Sequence, residues 1–345
     1  FDRLISLADG RTIVVPLSGG FDSRLIVSFL KAKSYPSIVT FSYGVPGNKE
    51  AEISRRVAGS LGLAWHFIEY SHDLWYRWYR SPERHEYSRY SENLCSIPVM
   101  QDWPAVWSLR RNGLIPSDSI MVPGHTGDFI SGGHIPLAFS AGEVRPDAGV
   151  AREVIKNNYA MLADHVRDTH MARRVEKRLT GLSAGNTFDA ASLYEMWDWS
   201  ERQAKYIVNA VRVYEYWGYD WYLPLWDAEY MRFWERVPLH ARARRYPYID
   251  CCAHLYASQS GDRALEGRCF ANRLRRWLAG TPVYVAASHL RRKLEQKHRT
   301  VMYDYDNHPL AWHGIVAREQ YANLGRSLRH IELLILDRLE VLSFW

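Results

Sequence analysis

Cysteine is scarce in this chain, with four among 345 residues: Cys95, Cys251, Cys252 and Cys269. None belongs to a CxxC pair or to a spacing suited to zinc or an iron-sulfur cluster. The four therefore read as reduced, buried thiols rather than as a disulfide framework or a metal centre. Long hydrophobic runs are also lacking. No stretch approaches 18 consecutive apolar residues, and no charged segment followed by an apolar core opens the sequence. Neither a membrane span nor a secretory signal is read, and a cytoplasmic location is expected. Internal repeats and low-complexity tracts are missing too. What is present is 47% hydrophobic and 24% charged, the balance of a soluble globular protein of one large domain or two ordinary ones. A net charge of +6 and a pI near 9.0 suit an anionic ligand such as a nucleotide or sugar phosphate, but they suit RNA as well. There are 14 Trp and 22 Tyr, many between Tyr194 and Trp234. Aromatics at that density usually form core or interface, with a stacking surface for a base or sugar as the alternative.

Strand and helix patterns alternate over the first half. Thr12 to Pro16 (TIVVP) reads as a short buried strand, and Leu25, Ile26, Phe29 and Leu30 then share one helical face. Ile38 to Tyr43 is a second strand, Glu50 to Leu61 a second helix and Ala64 to Glu69 a third strand. A polar, aromatic-rich segment (71–95), a helix around Val99 to Arg111 and a fourth strand at Ser119 to Val122 follow. Such alternation predicts a parallel sheet with right-handed crossovers and a ligand site at the carboxyl ends of its strands. From "AGEVRPDAGV" at 141–150 onward the pattern is mainly helical, with a basic amphipathic stretch over 151–180 and a long helical candidate over 191–217. The predicted organisation is an α/β nucleotide-binding domain over 1–140 and a largely helical region over 141–345.

The first strand runs into "VVPLSGGFDSRLIV". A turn from a strand end to a helix N-terminus presents free N–H groups and the positive end of the helix dipole, which favour an anion. Gly19 and Gly20 are expected to let the backbone wrap that anion closely, while Ser18 and Ser23 add hydroxyls. The stretch lacks the lysine and spacing of GxxxxGK[ST], so it is not a P-loop of that type. Asp22 needs a reason of its own. A like-charge pair at about 4 Å costs roughly 4 kcal/mol at an effective dielectric of 20, so an acid beside phosphate makes sense mainly as a Mg2+ ligand.

"LSGGFDS" resembles the SGGxDS loop of the PP-loop ATP pyrophosphatases, and "TFSYG" with "GNKEAEISRRVAGSLGL" is similar to the next strand and helix of the asparagine synthetase branch. The second glycine-rich stretch, "VPGHTGDFISGGH", resembles that branch's LSGEGADELFGG element, with Gly124, Asp128, Gly132 and Gly133 at matching positions. "RVYEYWGYDWYLPLWDAEYMRFWERVP" is loosely similar to a third segment of the same family. The resemblance covers roughly residues 1–260. It implies a five-stranded parallel sheet of the adenine nucleotide alpha hydrolase type with an extensive C-terminal helical region. It also implies ATP chemistry: a carboxylate is adenylated, pyrophosphate leaves, and ammonia or an amine displaces AMP to form an amide. By resemblance Ser18, Gly19, Gly20 and Ser23 hold pyrophosphate, Asp22 and Asp128 hold Mg2+, Leu17, Phe41 and Ser42 lie against adenosine, and Gly124 sits near the α-phosphate.

Departures from the family pattern bear on the substrate. His125 stands where the family has the glutamate of GEG, and a histidine can act as a base at neutral pH. Phe129 replaces the acid after the aspartate. For the family's basic residue near the third segment the candidates are Arg242, Arg244 and Arg245, with Arg245 first. Glu50 reads as a helix-start acid or a supporting residue, and Asp227 as structural. These residues include no glutaminase-type segment with a leading catalytic cysteine, so the amine is expected from solution, a separate glutaminase, a segment outside them, or the substrate itself. The partners expected are a small carboxylate and an amine donor, without membrane or nucleic acid. The leading acceptor is a uronic acid of a surface polysaccharide, on the strength of the aromatic stretch. Asparagine itself and intramolecular amide closure of the β-lactam or lasso type are the alternatives within this chemistry. A tRNA-modifying PP-loop enzyme and a partner protein that binds nucleotide without catalysis are those outside it.

Overall fold

A computed structural model describes residues 1–92, 95–97, 99–136, 139, 148–159, 169–183, 189–242, 245–266, 304–324, 333, 334 and 336. Strand β1 (Ile13–Pro16) lies at the middle of a five-stranded, all-parallel sheet of order β3-β2-β1-β4-β5. Its neighbours are β2 (Ile38–Gly44) and β4 (Ile120–Met121), with Val14 opposite Val39 on one side and Met121 on the other. Strand β3 (Ala64–Glu69) lies outside β2, and β5 (Asp220–Trp221) outside β4. The four β-rich runs of the sequence are thus strands. The fifth strand has only two residues and no β-branched run to mark it. It comes from the aromatic segment, so the 141–345 region contributes to the sheet. The boundary read at 140 lies outside the described residues.

Side chains alternate across β1, and both faces are buried, as in other parallel sheets. Ile13, Val15 and Leu17 enter one core with α1 (Asp2–Ala8), α2 (Asp22–Ala32), α3 (Lys49–Ser60) and the helix Tyr246–Ser260. Leu25, Ile26 and Leu30 of α2 are buried there, each contributing about 1.5–3 kcal/mol, while Phe29 is half-buried and stacks on Phe1 at 4.5 Å. Val14, Phe41 and Met121 enter the opposite core with α4 (His72–Tyr79), α5 (Pro82–Glu92) and α6 (Trp103–Arg111). The polar segment 71–95 is therefore helical where described. Its start is fixed by Ser71, whose Oγ accepts the Leu74 N–H at 3.1 Å.

A third cluster joins helices Ala148–Val154, Thr169–Ser183 and Ala190–Trp197 through Val150, Val154, Val175, Leu179 and Trp197. The segment read as one helix over 191–217 is helical but irregular. It is α-helical only to Trp197, widens to a π-helix over Asp198–Ile207, and tightens at Val208–Val211 before Arg212–Tyr216. Among the described residues no helix is long and apolar enough to cross a membrane.

Candidate active site

The strand order reverses at β1, between β2 and β4, which opens a crevice beyond the carboxyl ends of β1 and β4. Two serines hold the β1–α2 turn there. Ser23 Oγ accepts the Ser18 N–H at 3.1 Å and lies 3.2 Å from Ser18 Oγ, which accepts the Gly20 N–H at 3.1 Å. Helix α2 begins at Asp22 with no side-chain cap, so its first-turn N–H groups have no partner within the helix. Neither Gly19 nor Gly20 has a positive φ, so the turn itself does not require glycine. A Cβ at Gly19 would meet only ordinary contacts, whereas one at Gly20 would stand 3.2 Å from Ser18 Oγ. Leu17 and Phe41 are joined by a backbone hydrogen bond of 2.8 Å, but their side chains enter opposite cores. Ser42 is buried as well, and none of the three lines the cleft described below.

The loop after β4 lies directly on the start of α2, and two glycines permit it. A Cβ at Gly124 would stand 2.9 Å from Ser23 N and 3.0 Å from Asp22 Cβ, and one at Gly127 would stand 2.5 Å from Asp22 Oδ1. Between them Thr126 takes φ +73°, an outlier for a β-branched residue, and leads into the short helix α7 (Gly127–Ile130). This strained step brings Asp128 toward Asp22.

Arg245 joins the two carboxylates. One guanidinium nitrogen lies 2.7 Å from Asp22 Oδ1, another contacts Asp128 Oδ1, and Nε donates to Ser131 Oγ at 2.7 Å. Its guanidinium carbon sits 4.8 Å from the ring centroid of buried Tyr248, whose phenol is raised well above its usual range by burial and then by the charge of Asp22. Asp22 and Asp128 thus both face the Arg245 guanidinium. The repulsion between them is met by Arg245. Two converging carboxylates still fit Mg2+, which takes one or two of them and completes its shell with phosphate oxygens and water. Among the described residues no group of three or more His, Cys, Asp or Glu forms a metal cluster.

Beside the cradle is a cleft of about 230 Å3, lined by Ser18, Asp22, Ser23, Gly124, His125 and, on another wall, Asp102. Burial lowers the His125 pKa below the usual histidine range, with the Asp102 charge pulling the other way. The imidazole is therefore the free base at neutral pH, and the same burial makes it a weaker proton acceptor than an exposed histidine. Its Nδ1 is buried without a hydrogen-bond partner among the described residues. Asp102 is a residue that sequence reasoning passes over, because it falls inside the helix read around Val99 to Arg111 and belongs to no motif, whereas the helix begins at Trp103.

The other candidates fall elsewhere. Arg242 is buried in a bidentate pair with Glu195 and donates to Val237 O at 2.9 Å, so it is structural. Arg244 lies outside the described residues. Asn48, whose Oδ1 accepts the Ala51 N–H at 2.9 Å, caps α3, leaving Glu50 in its first turn. Asp227 caps the helix Ala228–Glu235 and pairs with Arg3. Phe129 packs in the core. Of the thiols expected to be buried, Cys252 is, whereas Cys95 and Cys251 are exposed and Cys269 lies outside the described residues.

A 3-2-1-4-5 parallel sheet with an uncapped serine–glycine loop at its reversal point defines a nucleotide-binding α/β protein of the PP-loop class. The asparagine synthase family matches residues 6–248, and the chain belongs to that family of ATP-using ligases. It is also 41% identical over 59 residues to a 7-cyano-7-deazaguanine synthase of Kineococcus radiotolerans, a match spanning 17% of this chain and 26% of that protein.

Proposed function

We propose that the chain activates a carboxylate by adenylation with ATP, releasing pyrophosphate, and passes the acyl group to an amine to form an amide. The observation that carries this is the meeting of two loops, from β1 and β4, where Asp22 and Asp128 are held by Arg245 beside the N-terminus of α2, which has no side-chain cap. In this reading Ser18, Gly20 and Ser23 with the α2 N-terminus hold the departing pyrophosphate, and Gly124 leaves room for the α-phosphate. Asp22 and Asp128 would hold Mg2+, which when bound neutralises charge on the triphosphate. Arg245 keeps the two acids in register. His125, neutral through burial, takes the proton from the attacking amine. The attack forms the C–N bond and breaks the bond from the acyl carbon to AMP.

The aromatic stretch supports a sugar acceptor less than its composition suggests. Tyr194, Trp197, Tyr214, Tyr219 and Trp234 are buried, and exposed Trp199 and Phe233 do not line the cleft. This cleft thus offers a sugar no exposed ring from the stretch, while Trp199 and Trp234 line a second cavity of about 400 Å3 beside Phe129. The test is release of AMP and pyrophosphate from ATP with Mg2+ across a panel of carboxylic acids, with hydroxylamine to trap acyl-adenylate. Equal amounts of AMP and pyrophosphate are expected with at least one acid, and Asp22→Ala is expected to reduce the rate at least about 100-fold, as losing a group that acts on the transition state does. ATP binding with no acid eliciting pyrophosphate overturns the reading.

A further inference from the structure

The cleft beside the cradle has an unexplained charge. Asp102 stands at the N-terminal boundary of α6, where an aspartate ordinarily caps the helix, yet its side chain makes no cap bond. Both of its oxygens are instead held by phenols. Tyr43 donates to Oδ1, and Tyr214 donates to Oδ2 at 2.8 Å. Tyr43 is itself oriented by Gln101, whose amide donates to the phenol oxygen at 2.9 Å. Burial first and the Asp102 charge second raise both phenols well above their usual range, so they stay protonated and remain donors. Three side chains from β2, from the segment before α6 and from the helix Arg212–Tyr216 are thus committed to fixing one carboxylate.

That carboxylate makes no ion pair among the described residues, and no lysine or arginine lines the cleft. Asp22, the other acid on the lining, is compensated by Arg245. A half-buried carboxylate without a cation is costly to keep, and two hydrogen bonds from neutral phenols orient it without neutralising it. Asp102 and Tyr43, whose oxygens keep lone pairs beyond these bonds, both line this one small cleft, beside His125. A group with three donors and a positive charge satisfies them together, whereas a hydroxyl supplies one donor and leaves the charge.

We propose that Asp102, fixed by Tyr43 and Tyr214, is a recognition site for a primary ammonium group brought into the cleft by a reactant. The carrier is either the acceptor acid, if it bears an amine, or the amine that attacks it. Only this assignment to a reactant rests on the ligase reading above. The site itself is a matter of charge and hydrogen bonding.

Direct binding tests the site independently of turnover. With the intact chain in Mg2+ and a non-hydrolysable ATP analogue, ligand-observed NMR is expected to show saturation transfer to ethylammonium and none to ethanol at the same concentration. Asp102→Asn is expected to weaken ethylammonium binding at least about tenfold, the lower end for a hydrogen bond to a charged group, while leaving binding of the ATP analogue and Tm unchanged. Should that variant fail to fold, Tyr43→Phe keeps the shape and removes one hold on the carboxylate, and a weakening of about two- to fivefold is expected. Ethylammonium binding that is absent from the wild type, or unchanged in the variant that folds, overturns the proposal.

Turnover then separates the carriers. Pyrophosphate release with glutamate against glutarate reads an ammonium on the acceptor, and amide yield with ethylamine against the uncharged amine donor hydroxylamine reads one on the donor. An Asp102-dependent preference in the first arm assigns the acceptor, and in the second the donor. Asp102-dependent binding with no pyrophosphate release from any acid overturns the ligase reading and leaves the site standing. Turnover with binding indifferent to Asp102 does the reverse.

Discussion

Arg245 does at the residue scale what no local pattern announces. It adopts φ +61° at the N-terminal boundary of the helix Tyr246–Ser260 and reaches Asp22 and Asp128, which are separated from it by more than a hundred residues. Removing its guanidinium leaves two carboxylates facing one another. The pair is partly buried on the Asp22 side, with Asp128 half exposed and its share screened by solvent. Arg245→Ala is therefore expected to lower stability by about 1–2 kcal/mol without divalent cation, and Mg2+ at millimolar concentration is expected to restore most of it. Thermal unfolding of both proteins with and without Mg2+ checks this. A loss that Mg2+ does not relieve would mean that Asp22 and Asp128 do not form a cation site.

At the scale of elements, the segment from Asp304 to Val316 is pinned to the end of β2 and to α4 by backbone carbonyls. Pro309 O accepts the Val45 N–H at 2.8 Å, and Leu310 O accepts the Trp75 indole N–H at 2.7 Å. Gly44, at φ +131°, permits this approach, since a Cβ there would stand 2.6 Å from Pro309 O. His308 is buried in the segment, with Nδ1 accepting the Leu310 N–H at 3.1 Å and the ring stacked on Trp312. Burial first, then His313 and His72, push its pKa down to about 3. An unfolded histidine titrates near 6.5, so between that value and about 3 the folded chain binds fewer protons than the unfolded one. The stability that the neutral ring contributes is present above pH 6.5 and is lost as pH falls, by at most about 2 kcal/mol at pH 5. His308→Asn, whose amide oxygen can still accept the Leu310 N–H, is expected to flatten the fall in Tm between pH 6.5 and 5. Equal slopes in the two proteins would show that His308 is not the group responsible.

For the whole molecule, what the sequence made legible was what is local. Four strands and α2 stand out by runs of apolar residues, and the serine–glycine turn by its place between a strand and a helix. Strand β5 was not legible because two residues, one of them Asp220, carry no periodicity and pair only through tertiary position. Asp102 belongs to no motif and falls inside the helix read around Val99 to Arg111, and Tyr43 reads as one more aromatic of a strand. Their role comes from partners on β2 and the helix Arg212–Tyr216, and packing alone brings those together.

The same holds for the extent of the fold. The family match ends at residue 248, but the core over Val14, Phe41 and Met121 includes Ile315, Val316, Leu333, Leu334 and Leu336, all buried. Each such side chain contributes about 1.5–3 kcal/mol, and together they rival the 5–15 kcal/mol that holds an ordinary domain folded. A chain cut after Glu266 would leave Trp75 without its Leu310 carbonyl and expose that face of the sheet. It is expected to lose its cooperative thermal transition and to bind a hydrophobic dye at 25 °C, whereas the full chain does neither. A truncated chain that melts cooperatively within about 5 °C of the full one, roughly 3 kcal/mol at this size, would show that the region beyond 266 lies on the fold without being part of its core.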